Sequence, residues 1–290
     1  MHIPVLLEQV LALFRGQRLT TFVDATLGAC GHSLAVLSEH PEIELLIGID
    51  QDREALAIAQ ERLKGVHAEL LHGNFCRLAE LVLSTKRTQV DAILLDIGVS
   101  SMQIDTDTRG FSFLRDGPLD MRMDQTRDLT AEEIVNSYSR DELADIFYTL
   151  GEERRSRQAA KAICEARKRT RIDTTTKLVE VLSHVLFRQG KIHPATRVFQ
   201  ALRIAVNAEL DVLRLVLPQA VSLLAPGGTL AVISFHSLED RIVKEEFRRF
   251  AKENPELTIL TKKPIEAERS EWLDNPRARS AKLRAIHRAA

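Results

Sequence analysis

Apolar and polar positions along the first hundred residues alternate between two periods. Short apolar runs at 20–25, 45–50, 69–72 and 90–96 have the length and flanking turn residues of strands. The stretches between them, 33–38, 52–64 and 77–84, carry apolar residues at helical spacing. Strand and helix alternating at this rhythm predict a parallel sheet with helices on both faces. The rhythm breaks at 105–128, which is rich in Gly, Asp and Arg and has no period.

Helix starts follow the break. Thr130-x-x-Glu133 reads as a capping box, and Ser139 precedes a helix that Gly151 ends. Helical spacing continues through 152–168 and 175–188, and one long amphipathic stretch runs over 196–224 to Ala225-Pro226-Gly227-Gly228. A strand at 229–235 leads into a helix from Ser237 to about Phe250, with Ser237-x-x-Asp240 as its box. Segments 257–261 and 282–287 suit two closing strands, antiparallel to each other. The pattern predicts one α/β domain, residues 1–106 and 196–290, interrupted by an all-helical insertion over 107–195.

Composition narrows the function classes. Of 290 residues, 44% are hydrophobic and 28% charged, which excludes a disordered chain, a collagen and a disulfide-stapled miniprotein. Forty basic against 41 acidic residues leave a net charge of −1, so affinity for nucleic acid must come from local patches. Cys30, Cys76 and Cys164 are odd in number and widely spaced, which suits reduced thiols in a cytosol, and no zinc-ligand spacing is present. No apolar run approaches the roughly 18 residues of a membrane helix. The N-terminus lacks a basic, signal-like start, so the expected address is the cytoplasm and no membrane partner is expected.

The segment Asp24-Ala25-Thr26-Leu27-Gly28-Ala29-Cys30-Gly31-His32 follows the first strand and opens the first helix of the sheet. Gly28 permits a tight turn and Gly31 a close backbone approach, while free N–H groups of Cys30, Gly31 and His32 favour an anion at the helix start. Asp50 ends the second strand, where a carboxylate can accept bonds from both ribose hydroxyls of an adenosine cofactor. Nicotinamide dinucleotide and S-adenosylmethionine compete for this loop. The missing Gly-x-Gly-x-x-Gly step and the nearby acids Asp24 and Asp96 favour the sulfonium donor.

The fourth strand ends Leu95-Asp96-Ile97-Gly98-Val99-Ser100-Ser101, delivering an acid and a Gly/Ser turn to the sheet edge where ligands bind. That motif stands in an ordered series. His2-x-Pro4-Val5-Leu6-Leu7 and the 24–32 loop precede it; Arg109-Gly110-Phe111-Ser112-Phe113 and Asp116-Gly117-Pro118-Leu119-Asp120-Met121-Arg122-Met123-Asp124 follow it. Gly151-Glu152-Glu153-Arg154, His193-Pro194-Ala195-Thr196-Arg197, Ala225-Pro226-Gly227-Gly228, residues 234–241 (Ser-Phe-His-Ser-Leu-Glu-Asp-Arg) and residues 275–280 (Asn-Pro-Arg-Ala-Arg-Ser) complete it. Together they resemble the bacterial small-subunit ribosomal RNA (cytosine-N4)-methyltransferases, the RsmH or MraW family, over almost the whole chain.

The resemblance implies a class I S-adenosylmethionine-dependent methyltransferase fold, Rossmann-like, with a mostly parallel seven-stranded sheet and an inserted helical substrate-recognition domain. It implies methylation of the exocyclic N4 of one cytidine in the decoding region of 16S rRNA. Carried over by position, cofactor contacts fall on Cys30, Gly31, His32, Asp50, Phe75, Asp96 and Gln103. Ala29-Cys30 stands where the family usually has glycine. A backbone contact survives this change if Cys30 needs no positive φ.

Methyl transfer from a sulfonium is an in-line displacement, so alignment dominates. The N4 lone pair is delocalised into the ring, and an acceptor for an N4 hydrogen assists it. Asp96 and His236 are the two candidates. Asp-Ile-Gly-Val lacks the aromatic of the Asp-Pro-Pro-Tyr found in many amino-methyltransferases, which leaves Phe111, Phe113 or Phe235 to stack on an extruded cytosine. Between Glu152 and Arg171 eight basic residues face three acidic ones, and Arg154 and Arg155 suit phosphates. Arg109, Arg122 and Arg197 are further candidates for positioning RNA. A weaker basic run from Lys262 includes Arg277, Arg279 and Arg284. The expected partner is 16S rRNA, within the 30S subunit or a late assembly particle, with oligomeric state, including a homodimer, left open. The rival readings are a nicotinamide-dependent oxidoreductase, a non-catalytic RNA-binding factor and a methyltransferase acting on small molecules or protein.

Overall fold

The computed structural model describes residues 4–98, 106–187 and 193–290. The chain divides into two compact units, Met1–Gly98 with Leu210–Ala290, and Val99–Glu209.

In the first unit the strands are β1 (Thr21–Asp24), β2 (Leu45–Asp50), β3 (Ala68–His72), β4 (Val90–Asp96), β5 (Leu224–Ser234), β6 (Leu257–Ile259), β7 (Ile265–Glu266) and β8 (Lys282–Arg288). They form one sheet in the order β3-β2-β1-β4-β5-β8-β6, with β7 paired to β8. The five strands from β3 to β5 are parallel, whereas β8 runs antiparallel to β5, β6 and β7. The sheet therefore has eight strands rather than the expected seven, because Ile265 and Glu266 add a two-residue pairing on β8. A mostly parallel sheet that closes on an antiparallel penultimate strand is the class I, Rossmann-like methyltransferase fold.

Helices α1 (Leu7–Phe14), α2 (Gly31–Glu39), α3 (Arg53–Arg62) and α4 (Leu78–Ser84) belong to this unit. The inner strands β1, β2 and β4 bury nearly all of their positions, as parallel strands covered on both faces do, whereas the edge strand β3 is only half-buried. Phe14, Phe22, Leu46, Leu94 and Ile233 anchor one core between α1, α2 and the sheet. At the opposite end from the ligand rim, Asp91 accepts from the N–H groups of Thr20 and Thr21 and from Thr20 Oγ1, which pins β1 to β4.

The second unit is helical: α5 (Ala131–Ser137), α6 (Arg140–Thr149), α7 (Ser156–Ala166), α8 (Thr175–Ser183) and α9 (Thr196–Asn207). Its core gathers Ile134, Leu143, Phe147, Ile163, Leu178 and Leu202. Its limits are wider than 107–195 because α9 contributes Val198, Phe199, Ala201, Leu202 and Val206 to this core. The single stretch expected over 196–224 is two helices, α9 and α10 (Glu209–Leu223), broken where Ala208 adopts a left-handed φ of 52°. Helices α11 (Ser237–Glu253) and α12 (Arg269–Asp274) return to the first unit. Among the described residues no helix is long and apolar enough to cross a membrane.

Candidate active site

The parallel register of β1, β2, β4 and β5 brings Asp24, Asp50, Asp96 and the turn Ser234-Phe235-His236 to one rim of the sheet. Asp24 is buried and spends both oxygens within its own loop. Its Oδ2 accepts from Ser33 Oγ at 2.6 Å and its Oδ1 from the Thr26 N–H at 3.2 Å. Burial raises its pKa, against the lowering effect of the Ser33 bond and of His32. Asp24 shapes the loop from inside.

Asp50 ties the end of β2 to the glycine turn. Its Oδ2 accepts from the Gly28 N–H and its Oδ1 from the Asp52 N–H, both at 2.8 Å. Burial pushes this carboxyl up to about 6 although both backbone bonds pull it down. Each oxygen keeps acceptor capacity beyond these bonds.

Asp96 differs from both. Its Oδ1 is buried and has no hydrogen-bond partner among the described residues, while its Oδ2 lies 3.7 Å from His32 Nδ1. The Asp96 N–H donates to Thr26 Oγ1 at 2.6 Å, which fixes the backbone at the strand end. Burial pushes the carboxyl up to about 6, with His32 opposing the rise and Asp24 adding to it. A buried carboxylate oxygen without a partner is costly, so a ligand that supplies a donor or a positive charge there is favoured.

The loop between β1 and α2 departs from expectation at two places. Cys30 is the N-cap of α2 with a left-handed φ of 53°, so the condition that it need no positive φ is not met. Its N–H donates to the Leu27 carbonyl at 2.8 Å and is not free for an anion. Helix α2 has no side-chain cap, which leaves the first-turn N–H groups of Gly31 and His32 as its open donors. A Cβ at Gly31 would lie 2.7 Å from Pro4 Cγ, so this glycine makes room for the N-terminal segment.

That segment is a part of the site that sequence reasoning missed. The Val5 carbonyl accepts from His32 Nε2 at 2.9 Å, and the Leu6 N–H donates to Glu271 Oε1 at 2.6 Å. The only signal was the His2-to-Leu7 motif, to which no role attached. Phe75 opens a short 3-10 turn, Phe75–Arg77, after β3 and is half-buried. Gln103 lies outside the described residues.

His236 is itself the N-cap of α11, and the box is His236 with Glu239 rather than Ser237 with Asp240. The Glu239 N–H approaches His236 Nδ1 at 3.5 Å, and Glu239 Oε2 accepts from the N–H groups of Phe235 and His236 at 2.8 and 3.3 Å. His236 Nε2 lies 3.1 Å from Glu239 Oε1. Its imidazole is nearly buried and employed in starting the helix. Phe235 packs beside Gly98, whose φ of 127° only glycine adopts easily.

Several cations proposed for RNA are engaged elsewhere. Arg109 is buried and donates to the carbonyls of Arg122 and Met123, which holds the irregular segment together. Arg122 forms a two-pronged pair with Asp120, both bonds at 2.8 Å. Arg284 is buried against Asp240 at 2.6 Å. Phe111 packs on the helical core, and Phe113 is stacked on His193 (4.7 Å, 21° between planes) with its edge to Phe199. By contrast Arg154 and Arg155 are exposed, and Arg155 lies 4.9 Å over the ring of Phe187, itself 63% exposed. Arg155, Phe187, His193 and Arg197 line one shallow concavity of the helical unit. His193 and Phe187 carried no assignment from the sequence, because neither sits in a ligand-like spacing.

The MraW methylase family model matches residues 1–289. A ribosomal RNA small subunit methyltransferase H of Deinococcus radiodurans is 50% identical over 292 residues, covering 100% of this chain and 90% of the relative. Those of Coprothermobacter proteolyticus and Syntrophotalea carbinolica are 46% and 47% identical, covering 98% and 99% of this chain and 95% and 98% of the relatives. With a family model along nearly its whole length and relatives at about half identity, the chain belongs to the MraW methylase family.

Proposed function

We propose that this protein methylates the exocyclic N4 of a cytidine in the decoding region of 16S rRNA, using S-adenosylmethionine as donor, in the cytoplasm. The observation that carries this reading is Asp96, an acid at the ligand rim with one buried oxygen unpartnered among the described residues. The family and the names of the relatives support small-subunit ribosomal RNA as the substrate class. An acceptor of this kind suits an amine nucleophile that must shed a proton.

The residues at the rim fit the donor. Open N–H groups at the start of α2 suit its carboxylate, Asp50 its ribose, and the acids Asp24 and Asp96 its positive charge. Phe75 and Gln103 complete the set. Cys30 contributes through the turn it holds rather than through its N–H. Bound there, S-adenosylmethionine supplies a methyl carbon made electrophilic by the attached sulfonium. Asp96 Oδ1 accepts an N4 hydrogen, which lets the nitrogen lone pair localise, and takes the proton once nitrogen and carbon are joined, to release it to solvent afterwards. Phe235, on the same unit, offers the stacking surface; Phe113 is already stacked. His236 acts through α11, whose first turn it caps.

The helical unit carries its own candidate contacts for RNA. Arg154, Arg155 and Arg197 contact phosphates, and the Arg155–Phe187 pair gives a cationic face beside an exposed ring. The substrate is the 30S subunit or a late assembly particle.

The assignment is tested by single turnover at saturating donor. Asp96→Asn keeps the side chain's size and removes the negative charge and the basicity that take up the proton, and it is expected to lower kcat by about 100-fold or more. His236→Ser keeps a helix cap and is expected to leave kcat within a few-fold of wild type. Wild-type turnover by Asp96→Asn would contradict the reading.

A further inference from the structure

His32 was expected to serve through its backbone, yet its side chain has a defined environment of its own. The ring is buried, and Nε2 lies 2.9 Å from the Val5 carbonyl, which can only accept. Nε2 therefore carries a hydrogen, and Nδ1 is left facing Asp96 Oδ2 at 3.7 Å. This separation is in ion-pair range and beyond a hydrogen bond. Asp24, the nearest alternative, has both oxygens occupied by Ser33 and Thr26. The bond from Nε2 to Val5 and the burial of the ring hold it in this orientation.

We infer that the His32 side chain is a positioning residue for Asp96: anchored on Val5, it holds Oδ2 by charge and reserves Oδ1 for the hydrogen of the substrate amine. This rests on the amine reading given above. The step balances as a displacement. The bond from N4 to the methyl carbon forms, the carbon–sulfur bond breaks with its electron pair left on sulfur, and one N4 proton passes to Asp96 Oδ1 and then to solvent. The groups facing Asp96 are His32 from α2, Asp24 from β1, Glu239 from α11 and Arg277 from the C-terminal segment. His32 and Arg277 favour the ionised acid, Asp24 and Glu239 disfavour it, and burial disfavours it most. The His32 ring opposite Oδ2 therefore works against burial and favours the ionised form of Asp96.

Two measurements on the full chain test this. The first is the pH dependence of kcat at saturating donor. Wild type is expected to lose activity on the acid side, below about 6, as Asp96 takes up a proton against the charge of the bound donor. In His32→Ala this acid limb moves up by about one pH unit, while KM for the donor changes less than about threefold. His32→Asn, which returns a neutral donor, gives an intermediate limb. A uniform fall in kcat with the limb in place, or an effect on KM alone, overturns the inference. The second is nitrogen-15 NMR of histidine-labelled protein without donor. It is expected to report Nε2–H on His32 and an Nδ1 signal that moves in Asp96→Asn. A His32 Nε2 without a hydrogen, or an Nδ1 signal indifferent to Asp96→Asn, overturns it even if the His32 variants do not fold. Should wild type make no N4-methylcytidine, the proposed function fails, while the NMR result still reads the His32–Asp96 contact by itself.

Discussion

A side chain at position 31 has no room. The nearest atom to a Cβ there is Pro4 Cγ at 2.7 Å, so Gly31→Ala must displace the N-terminal segment and with it the Val5 carbonyl that holds His32. Overpacking of this kind costs about 1–3 kcal/mol. The expected outcome is a lower urea midpoint of that size together with weaker donor binding by calorimetry. An unchanged midpoint would show that the segment is not packed on the loop. Cys30 presents the complementary problem, a side chain where φ is 53° and glycine is the easier residue. Nothing in the letter cysteine announces that angle. The acids were legible because a carboxylate ending an apolar strand has few structural uses. Which of them keeps an oxygen without a partner was not, because that depends on Ser33, Thr26 and Gly28 reaching back across the turn.

At the scale of elements, the strands from β1 to β4 were readable from apolar runs because both faces of a parallel sheet are covered. The start of α11 was not, because a histidine cap falls outside the usual Ser, Thr, Asp and Asn pattern. His236→Ala is expected to cost about 1 kcal/mol of stability and His236→Ser to recover most of it. Equal loss in both, measured by chemical denaturation, would mean that the imidazole does more than cap. The division of 196–224 turned on one residue, Ala208, whose left-handed backbone leaves no mark in an otherwise continuous amphipathic period. Arg109 illustrates the same limit for charge. A guanidinium in a Gly- and Asp-rich stretch reads as exposed, whereas carbonyls of Arg122 and Met123, further along the same stretch, draw it into the interior.

Across the whole molecule the rim acids couple folding to pH. Asp50 and Asp96 have carboxyls raised to about 6 by burial, above the ordinary value of an unfolded chain. The folded state therefore binds more protons than the unfolded one between about pH 4 and pH 6. Their contribution to stability is complete below that window and is lost as pH rises through about 6. Asp96→Asn does not titrate, so it is expected to gain on wild type between pH 4.5 and pH 7.5 by about 1–3 kcal/mol. Denaturation curves at the two pH values check this, and a gap that does not change with pH would contradict the burial of the acid. A bound cation at the rim reverses the preference, so donor affinity is expected to rise with pH across the same range.

The central claim is that this rim delivers a methyl group to an amine of a ribosomal cytosine. The most direct measurement incubates the protein with methyl-labelled S-adenosylmethionine and naked 16S rRNA, 30S particles or protein, followed by nucleoside analysis by mass spectrometry. The account predicts label in N4-methylcytidine at one position of the small-subunit RNA, and none in protein. Label on a ring carbon, on ribose or on protein, or no transfer to any of the three substrates, would contradict it.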